Sequence, residues 1–295
     1  MNTINPTPNH PLAEVFGHLT TDFSTHAVRC RKSHLCPCNN KVPSCTKDKA
    51  SAPLGVCSVF HGQSAVITCP IRFRQDWLIT EDAAAFFFPP GTQWTSLTEV
   101  RLADADGKSA GNIDIVLVAY DQKGRVVDFG SLEVQAVYIS GNVRAPFSHY
   151  MENCGKHKNM DWRDKPNYPR PDFLSSSRKR LAPQLMFKGG ILNSWNKKMA
   201  VATDSSFFST LPKLREVSAK DADIVWLVYD MPLVNGRFQL TKSREVFTKF
   251  SDTLDIISRP KAGGMNDFME LLQAKVDEKL ETPPTNQTIE NPFKP

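Results

Sequence analysis

Between Ile113 and Ala136 the chain carries two runs with the pattern of β-strands. Ile113 to Tyr120 is rich in β-branched residues, Asp121-Gln122-Lys123-Gly124 offers a turn with a glycine, and the chain returns from Val126 as a second strand. A hairpin is predicted. In its second strand Leu132, Val134 and Ala136 share one face, while Glu133 and Gln135 share the other. Beyond it, the run from Ser175 to Gly190 predicts a helix with serine caps at its start and glycines at its end, Pro183 lying in the first turn or kinking it. Asp223 to Met231 reads as a buried strand completing the sheet, with Asp223 and Asp230 as rim charges, and Val246 to Ile257 as a strand followed by a helix. Asn266 to Leu280 places Phe268, Leu271, Leu272, Val276 and Leu280 at the spacing of an amphipathic helix. Residues 153–170, rich in Lys, Asn, Pro and Trp, follow neither period and predict a long ordered loop; such loops are usually functional when ordered. No internal repeat is present, and the polar stretch after Glu281 is expected to be disordered.

Composition adds size and solvent. With 295 residues, 40% of them hydrophobic and 9% aromatic, the chain can bury a sizeable core. Its longest apolar stretch, Ala83 to Pro89, is far shorter than a membrane helix needs, and Met1 to Asn9 is polar and lacks a secretory apolar segment. A soluble, cytoplasmic protein in a reducing compartment is expected, without a membrane partner. The formal charge of +5 is unevenly spread: residues 144–198 hold twelve Lys or Arg against four acids, a net +8, which leaves about −3 for the rest. A basic segment of this kind suits phosphate neutralisation in DNA binding. Within and beside it, Arg144, Arg163, Lys165, Arg170 and Arg178 are candidates for phosphate contact or for paired hydrogen bonds to guanine. The glycine pairs at 189–190 and 263–264 lack the lysine spacing of a nucleotide-binding loop.

Chemistry concentrates in the hairpin. Asp114 and Glu133 fall on neighbouring strands, and two carboxylates in a half-buried sheet persist when a hard cation such as Mg²⁺ neutralises them. A second constellation lies in the first quarter. Cys36, Cys45, Cys57 and Cys69 sit in a segment rich in Pro, Gly, Lys and Asn, where dense cysteines are poorly explained as core packing. In a reducing compartment a thiolate-bound ion is preferred over disulfides, and tetrahedral sulfur sites hold Zn or Fe. Spacing alone leaves the ligand set open, since Cys30 and Cys38 compete and His34 or His61 could substitute.

Together these motifs resemble the NotI family of restriction endonucleases. The Asp114…Glu133-x-Gln135 pattern is similar to the PD-(D/E)xK nuclease core in the variant where Gln replaces the usual lysine, and Glu99 is similar to that family's additional upstream acid. The order Cys-Pro, Cys, Gly-Val-Cys, Cys-Pro, preceded by Glu14-Val15-Phe16-Gly17-His18, resembles its amino-terminal metal-binding region. The resemblance runs from about residue 14 to 138, more loosely to about 200. It implies an α/β fold with a restriction-endonuclease-like mixed sheet flanked by helices, a four-cysteine metal-binding region within residues 1–75, a nuclease core at 76–280 and a polar tail at 281–295. It implies further that Asp114 and Glu133 bind Mg²⁺, that Glu99 is a second-metal or water-positioning acid, and that Gln135 stands where the lysine would be. The structural Fe or Zn would be held by Cys36, Cys45, Cys57 and Cys69, and Gln184 would lie near the scissile phosphate. The implied activity is Mg²⁺-dependent double-strand cleavage of a GC-rich palindrome such as CGGCCG by a prokaryotic homodimer acting on double-stranded DNA. A metal-stabilised DNA-binding regulator without catalysis, or a structure-specific repair nuclease, would share several of these features.

Overall fold

The computed structural model describes residues 9–39, 42–49, 51–259 and 262–281. Strands β1 (Leu12–Val15), β2 (His18–Leu19), β3 (Val56–His61) and β4 (Ser64–Ile67) form an antiparallel sheet in the order β2-β1-β3-β4. Helix α1 (Thr25–Lys32) follows β2 and starts at Ser24, whose hydroxyl accepts the Ala27 N–H. Leu12, Val15, Phe16, Val56 and Val59 build a small core here. The turn between β1 and β2 needs Gly17, which is in the left-handed region and would drive a Cβ to within 2.3 Å of Pro37.

The larger sheet comprises β5 (Trp94–Ala103), β6 (Ser109–Tyr120), β7 (Val126–Gln135), β8 (Met199–Asp204), β9 (Ile224–Asp230) and β10 (Thr241–Thr248), in the order β10-β9-β8-β7-β6-β5. It is mixed: β5, β6 and β7 run antiparallel, β7, β8 and β9 run parallel, and β10 returns antiparallel. The predicted hairpin is therefore β6–β7, and the predicted strand at 223–231 is β9. All six residues of β8 are buried, as expected of a central parallel strand covered on both faces. One face is covered by α2 (Leu78–Phe87), whose Ile79, Ala83 and Phe87 join Ile115, Leu117, Leu132, Val134 and Leu227 in the main core. The opposite face carries a second core in which Leu181 and Leu185 meet Val137, Met199, Val201 and Trp226.

Those two leucines belong to α4, a helical run over residues 173–194 that departs from its sequence expectation at both ends. Asp172, not a serine, caps the start by accepting the Ser175 N–H at 2.8 Å. The expected glycine stop is also absent. Gly189 and Gly190 stay right-handed and the helix continues to Ser194, because Gly189 serves close packing: a Cβ there would lie 2.8 Å from the Phe250 ring. Pro183 sits between two π-helical turns, Ser177–Leu181 and Leu185–Gly189, which accommodate its missing N–H. The expected loop at 153–170 is mostly irregular but contains a helical turn, Cys154–His157, and is preceded by α3 (Arg144–Glu152), which the sequence pattern did not suggest. Its last residue, Arg170, opens a strand, Arg170–Asp172, paired with Tyr138–Ser140. After β10 comes α5 (Phe250–Ser258), agreeing with the strand-then-helix reading. From Arg259 the chain forms a separate unit containing α6 (Met265–Glu281), the expected amphipathic helix. The tail beyond Glu281 lies outside the described residues.

His10 ties this fold to pH. It is 6% exposed, its Nδ1 accepts the Leu12 N–H at 3.1 Å, and burial lowers its pKa to about 4. Between that value and the usual 6.5 the unfolded chain binds the proton and the folded one does not, so stability rises with pH across this window. The contribution is present above pH 6.5 and is lost as the pH falls toward 4, about 2 kcal/mol at pH 5. His10→Asn keeps an acceptor but cannot charge. Urea unfolding at pH 8 and pH 5 should show the native chain losing about 2 kcal/mol more than the variant, and equal losses would remove His10 from the acid response.

Candidate active site

The register Ile115↔Leu132 brings Asp114 beside Glu133 where the β6–β7 ladder ends. With no strand partner continuing there, the Asp114 carboxylate accepts the Val134 N–H at 2.8 Å, which fixes one of its oxygens. On β5, Glu99 falls between the pairs Thr98↔Ile115 and Val100↔Ile113, the register position opposite Asp114. Its φ of 59° lies in the left-handed region within the strand, and its side chain is exposed. Three acids thus occupy adjoining positions on three neighbouring strands.

Because Leu132, Val134 and Ala136 enter the main core, Glu133 and Gln135 point to the other face, under α4. There the structure supplies a residue that sequence reasoning missed. Lys188 is only 5% exposed, and its Nζ donates to Glu133 Oε2 at 2.7 Å, with Glu133 itself 2% exposed. Arg180, Gln184 and Lys188 recur every four residues along α4, so they share a face. A signal existed in the chain. Leu181, Leu185 and Leu192 are the buried stripe of this helix, and Lys188 takes the stripe position where an apolar residue belongs.

Burial, and then the negative charge of Asp114, push the Glu133 carboxyl up to about 7, against the pull of Lys188 and Arg180. A buried ion pair is weak evidence for stability, whereas a perturbed carboxyl between a second acid and a lysine marks a functional site. Among the described residues, Glu133 Oε1, Gln135 Oε1 and Gln184 Oε1 are buried without a hydrogen-bond partner. Gln135 uses its amide N–H on Ala136 O at 3.3 Å, leaving its carbonyl oxygen as the uncommitted atom. Unpartnered buried oxygens beside two carboxylates are a donor set of the kind Mg²⁺ takes. The model of the restriction endonuclease NotI family matches residues 19–240, three quarters of the chain and all of this site. The chain belongs to the NotI restriction endonuclease family. No curated protein matches it.

Family membership makes this chain a type II restriction endonuclease, a DNA-binding enzyme that hydrolyses phosphodiester bonds within the strand. It favours the nuclease reading over the non-catalytic regulator. None of the described helices is long and apolar enough to cross a membrane. The DNA-binding candidates of this NotI-family enzyme are dispersed. Arg144 opens α3 and pairs with Asp48, and Arg163 forks onto Asp161 with Nε 3.0 and 3.1 Å from its oxygens. Lys165 on the loop, Arg170 on its strand and Arg178 near the start of α4 are exposed, while Gln184 is half-buried.

In the amino-terminal region of the NotI-family chain, Cys36, Cys45, Cys57 and Cys69 line one cavity with about 10 Å³ of water-accessible space. Gly17 N–H donates to Cys57 Sγ at 3.3 Å. Burial raises the Cys36 thiol to about 12, with nearby Cys38, Cys69 and Cys45 adding to the shift, and burial with Cys69 raises Cys57 strongly. Thiols so crowded and dry hold their protons unless a cation replaces them. No three of the sulfurs lie within 4.8 Å of one another, whereas a zinc ion at about 2.3 Å from each would set them about 3.8 Å apart. The competing ligands have other surroundings: His34 stacks on Phe16, His61 meets Phe173 edge-on, and Cys30 neighbours His26.

Proposed function

We propose that this enzyme makes Mg²⁺-dependent double-strand cuts at a GC-rich palindrome resembling CGGCCG, as a two-fold homodimer in which each subunit cuts one strand. The observation that carries this is the buried Glu133 carboxylate, one oxygen held by Lys188 and the other unpartnered, next to Asp114. Asp114 and Glu133 would hold the ion, and Glu99 would act as the second acid toward metal or water. When bound, Mg²⁺ supplies a coordinated water of lowered pKa and stabilises charge building on the phosphate. The chain's own residues then divide the remaining work. Gln135 does not titrate, so its carbonyl and amide orient a water or phosphate oxygen and leave proton removal elsewhere. Lys188, paired with Glu133 from α4, would supply the cation missing from the strand position of Gln135 and would meet the phosphate. Arg144, Arg163, Lys165, Arg170, Arg178 and Gln184 would meet phosphate and guanine edges.

Plasmid carrying mapped CGGCCG and GCGGCCGC sites, incubated with Mg²⁺, should be linearised at one of them and left intact under chelation. Protein that cuts neither, or cuts without sequence preference, overturns the reading. The source compartment is proposed to be a prokaryotic cytoplasm, where the four cysteines stay reduced.

The cavity of Cys36, Cys45, Cys57 and Cys69 would hold a structural Fe or Zn ion, since four protein thiolates leave no position for substrate water. Cys45→Ser is expected to release one equivalent of metal per chain and to destabilise the amino-terminal sheet by several kcal/mol, read as a lost or lowered thermal transition. Unchanged metal content in that variant would refute the assignment.

A further inference from the structure

We propose that His18, His26 and Cys30 form an additional divalent-cation site, distinct from the carboxylate cluster and from the four-cysteine cavity. The three come from two elements. His18 lies on β2, and His26 and Cys30 lie four residues apart on α1, hence on one helix face. Nδ1 of His26 is 3.2 Å from Nε2 of His18, Sγ of Cys30 is 3.9 Å from the same Nδ1, and all three ligand atoms lie within 4.8 Å of one another. A tetrahedral ion at ordinary Zn–N and Zn–S lengths sets two nitrogens about 3.3 Å apart and a nitrogen and sulfur about 3.6 Å apart. The observed spacings therefore need only small side-chain adjustments.

The surroundings are those of a supported ligand. Asp22 Oδ2 lies 3.0 Å from His18 Nδ1 and fixes that nitrogen as the protonated one, which leaves the Nε2 lone pair toward His26 Nδ1. Asp22 is itself held, since its other oxygen accepts the Ser24 N–H at 2.8 Å. His18 and Cys30 are buried, 3% and 1% exposed, while His26 is exposed and opens the group to solvent, so water could fill the remaining coordination position. A Cys30 thiolate and the Asp22 carboxylate together carry −2, matching a divalent ion. The Arg31 guanidinium donates to the carbonyl oxygens of Leu19 and Asp22 and lies over the Phe23 and Tyr150 rings, while its charge and that of Arg29 act on Cys30 and that of Arg237 acts on His18. Two imidazoles and a thiolate select a borderline-soft ion such as Zn²⁺ over Mg²⁺. Such an ion would clamp α1 onto the edge strand of the amino-terminal sheet.

The test uses the full chain and Zn²⁺ or Co²⁺ as probes. After metal stripping and reloading with Zn²⁺, His26→Ala should bind one equivalent fewer per chain than the native protein, and Cys45→Ser should still retain the equivalent that His26→Ala loses. With Co²⁺, His26→Ala and Cys30→Ser should each lose the same component of the thiolate-to-cobalt absorption. If Cys30→Ser fails to fold, His26→Ala at its exposed position decides. Native metal stoichiometry and an unchanged cobalt spectrum in His26→Ala, as a plain His18–His26 hydrogen bond would give, overturn the proposal. Neither result bears on the carboxylate site, whose residues are untouched by these variants.

Discussion

Glu133→Gln is expected to abolish cleavage, lowering the single-turnover rate by roughly 10³- to 10⁴-fold, because it removes the buried negative charge that would hold Mg²⁺. The change is nearly isosteric. Lys188 keeps a carbonyl oxygen to donate to in place of Glu133 Oε2, so the fold should survive. Binding to a cognate duplex, measured in Ca²⁺ or without metal, should change by less than about tenfold, since phosphate contacts and base contacts lie elsewhere. Asp114 makes the sharper comparison, because its carboxylate also ties down the Val134 N–H and its loss would loosen the strand end as well. A Glu133→Gln enzyme cutting at more than a tenth of the native rate would take Glu133 out of the chemistry.

Lys188→Met should lower the rate by roughly 10²- to 10⁴-fold, the range for losing a positioned proton donor or a charge aimed at the transition state. It also leaves Glu133 unpaired in the buried floor, which can cost up to about 3–5 kcal/mol, so the rate must be taken per folded molecule. The decisive variant combines Lys188→Met with Gln135→Lys, returning a lysine to the strand two residues beyond Glu133. If Lys188 does the work of that lysine, the double variant should recover at least about tenfold of the lost rate in single-turnover assays. A Lys188→Met enzyme that is merely less stable, with native turnover in its folded fraction, would reduce Lys188 to a structural counter-charge.

What could be read from the chain, and what could not, follows from the range of each interaction. The β6–β7 hairpin was legible because its period and its turn are local, and Asp114 and Glu133 came with it as residues flanking a short connection. The strand at 223–231 was legible for the same reason, as a continuous apolar run, whereas the mixed sheet was expected only through the family resemblance, because its strand order depends on long-range pairing. The ends of α4 were not. Gly189 carries the signature of a stop, but its use is set by Phe250, about sixty residues away. Helix α3 was missed because Pro146 and mixed polarity give it a weak pattern, while its helical state is fixed by Phe147 and Tyr150 packing into the amino-terminal core. Lys188 was visible only as an oddity in an apolar stripe, since its partner lies fifty-five residues earlier on another element. The cysteine spacing left the ligand set open, with Cys30 and Cys38 competing; the family resemblance named Cys36, Cys45, Cys57 and Cys69, which the fold brings around one cavity.

The contact between Gly189 and Phe250 reaches further than packing. The residue next to the ammonium group is seated against α5, at the β10 side of the sheet, so the height of α4 above Glu133 is gauged by the thickness of one ring against one hydrogen atom. Under the proposed mechanism, residue 250 would set the placement of Lys188 above Glu133 from inside the second core, without itself contacting DNA.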